Sequence, residues 1–499
     1  MLTHEYDIVI VGSGAGGGTV AQELAPMVAQ GARILVLEQG ARLEEYEYTG
    51  RELEMSSALY HDGGGFLTAD GTMTLAFGRA YGGSTVVYTG TSLVAPDRVI
   101  REWCVAGLDH ADIERRSHKF MAQNDVHFLP RVLLNDNNKR FVTGCARIGV
   151  KAEQFPLNLR GCKGSSLCNL GCPNSAKMGT HRVQLPNAER AGVEVVTRAE
   201  ALRLEERAVV VRVHDKRPDD KGLPSAWSPG DHHISARLVV LCGGSIGTSA
   251  LLLRSPVTSG IPRVGERFTC HPAHILVAEH EHDITNDVGH PKSYYVDRAE
   301  HDGFVLETCM YFPFTTAKNL TGFGEGHSAL MRAFPRLQMI LVLACDKAVA
   351  GNRIAIDAAG KPVVHYAFTP DVVRSMVSAT RMSARIFFAA GALRVHAPSA
   401  APPLIERDQA YRLDDLIVER NFLPGRISIS AAHLMGGCAM GAEGSAVTDS
   451  RGRVHGVPWL RVADSSLFPD SVEINPYLTV MALADRVAEG IRDDWGASS

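Results

Sequence analysis

The sequence predicts an α/β protein that opens on a Rossmann-like dinucleotide-binding unit. Three observations predict it. The run DIVIV (7–11) is short and apolar, as suits a strand buried on both faces. Gly12, Gly14 and Gly17 follow at once as G-x-G-x-x-G, with Ala15 in the turn, and open a helical pattern. A second strand, RILVLEQG, ends in Glu38, 21 residues after Gly17.

Each piece has a physical reason. Gly12 permits the tight turn, Gly14 lets a pyrophosphate approach the backbone, and Gly17 lets the helix pack on the strand. The helix N-terminus offers free N–H groups to phosphate. The Glu38 carboxylate is placed to accept hydrogen bonds from ribose hydroxyls. This unit alone does not separate NAD from FAD. Further along, the polar stretch HDKRPDDKGLPSAWSPGDHH (214–233) reads as a loop or hairpin tip between VVVRV and ARLVVL.

The rest of the composition excludes several classes. The 499 residues suffice for two domains or one large composite one. A net charge of −4 gives no basic surplus for nucleic acid or an anionic membrane. No apolar run approaches the roughly 20 residues of a membrane span. The N-terminus lacks a basic region ahead of its apolar run, so no secretory signal is expected. Ten thinly spread cysteines suit a reducing compartment. The expected location is the cytoplasm, although a partner subunit could carry the chain across a membrane.

A second Gly-rich segment, FGRAYGGSTVVYTG (77–90), follows the first motif. Together they resemble the glucose–methanol–choline (GMC) oxidoreductases. Further segments fit in that family's order: VVLCGGSIGTSALLLRS (239–255), GERFTCHP (265–272), AAHLMGGCAMG (431–441), VPWLRVADSSLFPD (457–470) and EINPYLTVMALADRV (473–487). The resemblance spans the chain. It implies FAD, and a Rossmann-like FAD domain joined to a substrate domain built on an antiparallel sheet with helices. The FAD domain is expected at 1–255, with the cysteine segment 155–180 as an insertion. The substrate domain is expected at 256–430, and 431–499 returns to the FAD domain with the catalytic residues. GFVLETCMYFPF, RLQMILVLA and NRIAIDAAGKPVVHYAF read as strands with turns, and PDVVRSMVSATRMSARIFFAAGA as a long helix.

The resemblance also implies site residues. His433 in AAHLMGG is its catalytic base. Asn475 in INPYLT takes the family's second active-site position, with Pro476 fixing the backbone after it. Neutral imidazole can take a hydroxyl proton, and an uncharged amide can donate to the substrate oxygen without competing for it. His271 and His455 are read as structural. Gly82, Gly83 and Ser84 form the GGS loop. Asp464 matches a position near the flavin or its pyrophosphate, or else caps the helix at SSLFP. Tyr88 stands where many members carry an asparagine that touches the flavin, so it either covers the flavin or narrows the oxygen-accessible space. Val87 replaces the histidine of members with covalent flavin, so the FAD is expected to be noncovalent.

Cys162, Cys168 and Cys172 read C-x5-C-x3-C-P. Their context resembles two GMC branches, the sugar and polyol dehydrogenases with a three-iron (3Fe–4S) cluster and the long-chain alcohol oxidases. A cluster on the three thiolates and three packed thiols both remain open. Cys438 is read as a small packing residue.

The expected function is FAD-dependent oxidation of a primary or secondary alcohol to the carbonyl, by hydride transfer to flavin N5 with His433 as base. The apolar stretches lean towards a hydrophobic or aromatic alcohol. The alternative is a sugar or polyol dehydrogenase passing electrons through the cluster to a cytochrome partner. A more remote one is a non-redox GMC lyase. The electron acceptor (oxygen, quinone or cytochrome) stays open.

Overall fold

A computed structural model describes residues 1–399 and 404–497. Two large sheets organise the chain, and each has its own apolar core.

The first sheet carries the strand that runs into the Gly-rich turn. Strand Leu2–Val11 lies parallel between Ile34–Leu37 and Gly230–Leu241, pairing Ile8 with Ile34 on one side and Leu238 on the other. Glu194–Val196 extends the parallel run beyond Ile34–Leu37. Residues 8–10 are 0% exposed, because a central parallel strand is covered on both faces. The strand Gly230–Leu241 changes partner along its length. Its first half pairs antiparallel with Ala208–Val213, and its end pairs parallel with Leu460–Val462. The polar stretch 214–233 bridges that antiparallel pair, as its composition predicts, although the second strand begins inside it, at Gly230. Helix Ala15–Leu24 packs against the C-terminal helix Tyr477–Ala497.

The second sheet is mainly antiparallel. Its centre is Ala273–Glu279 paired with Leu337–Ala344, which pairs in turn with Phe304–Thr308. It also recruits Met73–Leu75 and Glu153–Gln154 from earlier in the chain. The helix Pro370–Ala389 covers one face. Val372, Met376, Ala379, Thr380, Ser383 and Phe387 recur at helical spacing and are buried on the sheet. The Thr369 hydroxyl caps that helix by accepting from Val372 N at 3.3 Å. The opposite face carries Ala273, Ile275, Val305, Leu341 and Leu343, and is apolar. Among the described residues no helix is long and apolar enough to cross a membrane.

Candidate active site

The dinucleotide end is built from backbone. Gly12 has φ +108°, and a Cβ there would lie 2.2 Å from the Cys242 carbonyl oxygen, so only glycine fits the turn. One turn on, a Cβ on Gly17 would fall 1.8 Å from Gly12 O. The GGS loop lies alongside. Gly83 has φ +53°, and its Cβ would sit 2.7 Å from Gly14 Cα. Ser13 ties the two turns together. Its hydroxyl donates to Glu38 Oε2 at 2.5 Å and accepts from Gly82 N at 2.9 Å. Glu38 also accepts from Ser13 N and Gly40 N, at 3.1 and 2.7 Å. Burial raises its carboxyl above the usual range, against the pull of those donors. Asp464 accepts from Ser466 N at 2.8 Å, as a cap does, and from Gly244 N and Thr248 Oγ1 at 2.8 and 2.5 Å. It therefore fastens the 465–467 turn to the start of helix Gly244–Arg254.

The other end is built from side chains. His433 is half-buried, with its two ring nitrogens facing different partners. Nε2 is 3.3 Å from Asn475 Nδ2, and Nδ1 is 3.0 Å from His271 Nδ1. Asn475 Nδ2 also donates to Glu307 Oε1 at 3.2 Å. Glu307 is 1% exposed and is ion-paired with Lys292. These contacts fix the tautomers. A carboxylate only accepts, so the amide nitrogen of Asn475 must face Glu307. Its second proton then points at His433 Nε2, which must carry the lone pair. His433 Nδ1 holds the hydrogen and donates to His271 Nδ1. His271 Nε2 in turn donates to Ser471 Oγ at 2.7 Å.

Burial holds His433 well below the ordinary histidine value, and the nearby His271 and Lys292 add to this. Burial also lowers His271, to about 4. His271 has φ +49°, an uncommon conformation for a residue with a side chain. Asp346 holds it there, accepting from His271 N at 3.0 Å, Cys270 N at 3.0 Å and the Tyr366 hydroxyl at 2.9 Å.

The GMC oxidoreductase N-terminal family model matches residues 56–273 and the C-terminal one residues 350–484. An uncharacterised GMC-type oxidoreductase of Mycobacterium tuberculosis is 32% identical over 495 residues, covering 97% of this chain and 75% of that protein. The chain belongs to the GMC oxidoreductase family. A long-chain-alcohol oxidase of Arabidopsis thaliana is 26% identical, covering 98% of this chain and 67% of that one. Among solved structures, pyridoxine 4-oxidase from Mesorbium loti superposes with TM-score 0.70 at 17% identity, over 98% of this chain and 99% of that one. Formate oxidase from Aspergillus oryzae does so with TM-score 0.71 at 13% identity, over 98% of each. At those identities the two structures show the shared fold.

As a GMC oxidoreductase the chain is an FAD-family enzyme acting on CH–OH donors. The dinucleotide end fits that cofactor. Among the described residues beyond its chain neighbours, the first atom a Cβ on Gly14 would meet is Gly83 Cα at 3.8 Å, so the space above the turn is open. The helix Ala15–Leu24 has no side-chain cap, which leaves its first N–H groups free for an anion. Ser84 is exposed at the same loop.

Other expected site residues fall as follows. Tyr88 packs edge-on to Tyr477 at 4.8 Å between ring centres, and its hydroxyl accepts from Asn158 Nδ2. Pro476 opens directly into the C-terminal helix. Cys438 is buried against Ser249, in keeping with packing. His455 bonds Gly441 O at 3.1 Å.

Cys162, Cys168 and Cys172 are free thiols, and among the described residues no three His, Cys, Asp or Glu side chains converge to hold a metal ion. The buried Lys177 occupies this segment instead. Its ammonium donates to Val86 O at 2.7 Å and to Cys168 O. Burial lowers it to about 8 and raises Cys168 to about 12. The arrangement gives the three-iron alternative no support.

Sequence reasoning missed four residues. It read His271 as structural, whereas the ring touches His433 directly. Lys292, Glu307 and Asp346 were passed over. Two of these leave a trace in the sequence: Glu307 is an acid inside the apolar strand FVLET, and Asp346 directly follows the strand LQMILVLA and Cys345.

Proposed function

We propose that the protein oxidises a primary or secondary alcohol to the carbonyl, with noncovalent FAD as hydride acceptor and His433 as base. One observation carries the reading: neutral His433 Nε2, with its lone pair, and the Asn475 Nδ2 that donates towards it lie 3.3 Å apart, an acceptor and a donor that one alcohol hydroxyl can bridge. An alcohol oxygen entering there accepts from Asn475 Nδ2 and donates its proton to His433 Nε2. As that proton leaves, Asn475 steadies the charge growing on oxygen. FAD, when bound, supplies the two-electron acceptor for the carbinol hydride. Gly12, Gly14, Ala15, Gly17, Gly82, Gly83 and Ser84 are the residues to hold its diphosphate. Glu38 serves the adenosine end, and Tyr88, Asp464, Asn475 and Pro476 the flavin end.

The substrate reading follows from the sheet face beside the pair. Glu307 projects from the same strand face as Val305, amid Ala273, Ile275, Leu341 and Leu343. Such a face favours an alcohol with an apolar body. The likeness to long-chain-alcohol oxidases supports the same class.

The test is anaerobic. Primary alcohols of increasing chain length and benzyl alcohol are mixed with the flavin-loaded protein. Bleaching of the flavin absorption supports the reading. A flavin that stays oxidised with every alcohol sinks it and leaves the lyase reading. Iron analysis on the same sample decides the cluster, and oxygen uptake after mixing with air separates oxidase from dehydrogenase.

A further inference from the structure

The buried pair Lys292–Glu307 has no part in the reaction as described above. Its position gives it one. Lys292 lies just before strand Tyr294–Arg298, and Glu307 lies on the paired strand Phe304–Thr308. The lysine side chain is 10% exposed and the glutamate 1%. A paired charge this deep in an apolar sheet face is seldom kept for stability, since a hydrophobic pair of similar volume does as well. Glu307 Oε2 meets Lys292, while Oε1 accepts from Asn475 Nδ2.

We propose that Glu307 and Lys292 are positioning residues that set the tautomer of His433 through the orientation of the Asn475 amide. The inference rests on the reading of His433 as the base of alcohol oxidation. An amide has two ends of nearly equal shape. If Asn475 presented its oxygen to His433, the imidazole would place its hydrogen on Nε2 to meet it. It would then have no lone pair for the alcohol proton. Glu307 prevents this, because a carboxylate accepts and never donates. Lys292 keeps Glu307 in that role, because an ammonium donates and never accepts.

This logic makes an unusual prediction. In Glu307→Gln the new side chain also has two ends. The Lys292 ammonium captures the glutamine oxygen, so the glutamine NH2 faces Asn475. Asn475 must then turn its oxygen to that NH2, and the His433 tautomer becomes free to change. Removing the lysine as well, in Lys292→Met with Glu307→Gln, releases the glutamine. Its oxygen can again face Asn475 and restore the original order.

The test uses the flavin-loaded full chain labelled with ¹⁵N-histidine, with the His433 signals assigned against His433→Asn. The unaltered protein is expected to show the Nδ1–H tautomer. E307Q is expected to show Nε2–H, with alcohol-driven flavin reduction slowed on the order of 10²- to 10⁴-fold, the range a wrong catalytic tautomer produces. K292M/E307Q is expected to regain Nδ1–H and most of the rate. A purely structural pair would also regain stability once the unpaired ammonium is gone, but it would not switch the His433 tautomer and switch it back. The proposal is overturned if E307Q, folded and flavin-bound, keeps the Nδ1–H tautomer, or if the double variant is no better than E307Q. Should no alcohol reduce the flavin while the three tautomers follow the expected order, the alcohol reading fails and the positioning pair stands.

Discussion

The two ends of the candidate active site are made of different material. At the dinucleotide end the backbone makes the site, and side chains such as Ser13 and Glu38 only brace it. At the His433 end the backbone is a scaffold. The site there is a chain of side chains running from Lys292 through Glu307, Asn475, His433 and His271 to Ser471. A backbone site depends on shape at a few glycines. A side-chain site depends on protons, so acid should separate the two ends.

That separation is the largest effect expected. His271, His280 and His396 are lowered by burial to about 4, and His274 to about 3. All four lie on, beside or opposite the strand Ala273–Glu279. A histidine lowered in the folded state binds a proton more readily when unfolded. Its neutral burial is therefore free of penalty above pH 6.5, and stability falls as pH drops from there towards 4. At about pH 5.5 each such group costs on the order of 1 kcal/mol. Asp346, raised by burial to about 6, works in the opposite sense over part of this range, as one group against four. At the dinucleotide end burial raises Glu38 and Asp464, so mild acid favours the folded state there, with the lowered His181 as the exception. Hydrogen exchange at pH 7.5 and 5.5 should show strands Ala273–Glu279 and Leu337–Ala344 losing protection first. Loss beginning at Leu2–Val11 would refute the contrast.

The next largest effect is chemical. His433→Asn should slow alcohol-driven flavin reduction about 10³-fold, near 4 kcal/mol in the barrier, while flavin content stays unchanged. Rapid-mixing reduction and the flavin-to-protein absorbance ratio measure the two quantities separately. Loss of flavin from this variant would mean that the ends are not independent.

The same contrast decides what the sequence discloses. A backbone site must put glycine where φ is positive or the chain passes close, as at Gly12. That demand leaves a residue type at a fixed spacing, which is legible without any fold. His433 and Asn475 were singled out only through the resemblance, because nothing in AAHLMGG or INPYLT by itself requires an active site. The supporting residues were not legible. Glu307 reaches Asn475 across 168 positions, and Asp346 reaches His271 across 75. Such contacts exist only once the strands are in register. The alternating pattern of FVLET would by itself place Glu307 on a solvent face, and it is the covering of that face that buries the carboxylate. The C-x5-C-x3-C spacing suggested a ligand set, and the three thiols do line one small cavity, but Lys177 shares it and among the described residues they form no group that could hold a metal ion.

Gly12→Ala tests the backbone end. The added Cβ meets the Cys242 carbonyl, and the left-handed turn is strained in any case. A cost of about 2–3 kcal/mol is expected, with flavin lost on purification. Strand Ala273–Glu279 should keep its exchange protection. A yellow, fully loaded G12A protein would show that the turn tolerates a side chain and that the cradle has been misread.

The smallest effect, that of Tyr88→Phe, is at the seam between the two ends. Tyr88 belongs to the GGS loop, and its ring meets Tyr477, which follows Asn475 by two residues. The ring and the hydroxyl do separate jobs. Tyr88→Phe keeps the ring against Tyr477 and removes the hydroxyl, which serves Asn158 Nδ2 and the Tyr477 hydroxyl; Asn158 Nδ2 retains Met178 O at 2.9 Å and Tyr477 retains Ser92 Oγ at 2.5 Å. No buried donor is stranded, so the cost should be about 1 kcal/mol, a shift of about 1–2 °C in Tm. Tyr88→Ala also removes the packing and leaves a cavity, which raises the cost to about 3–5 kcal/mol. If thermal melts of the flavin-loaded variants show Y88F as damaging as Y88A, the hydroxyl rather than the ring joins the two ends, and the seam is a hydrogen bond.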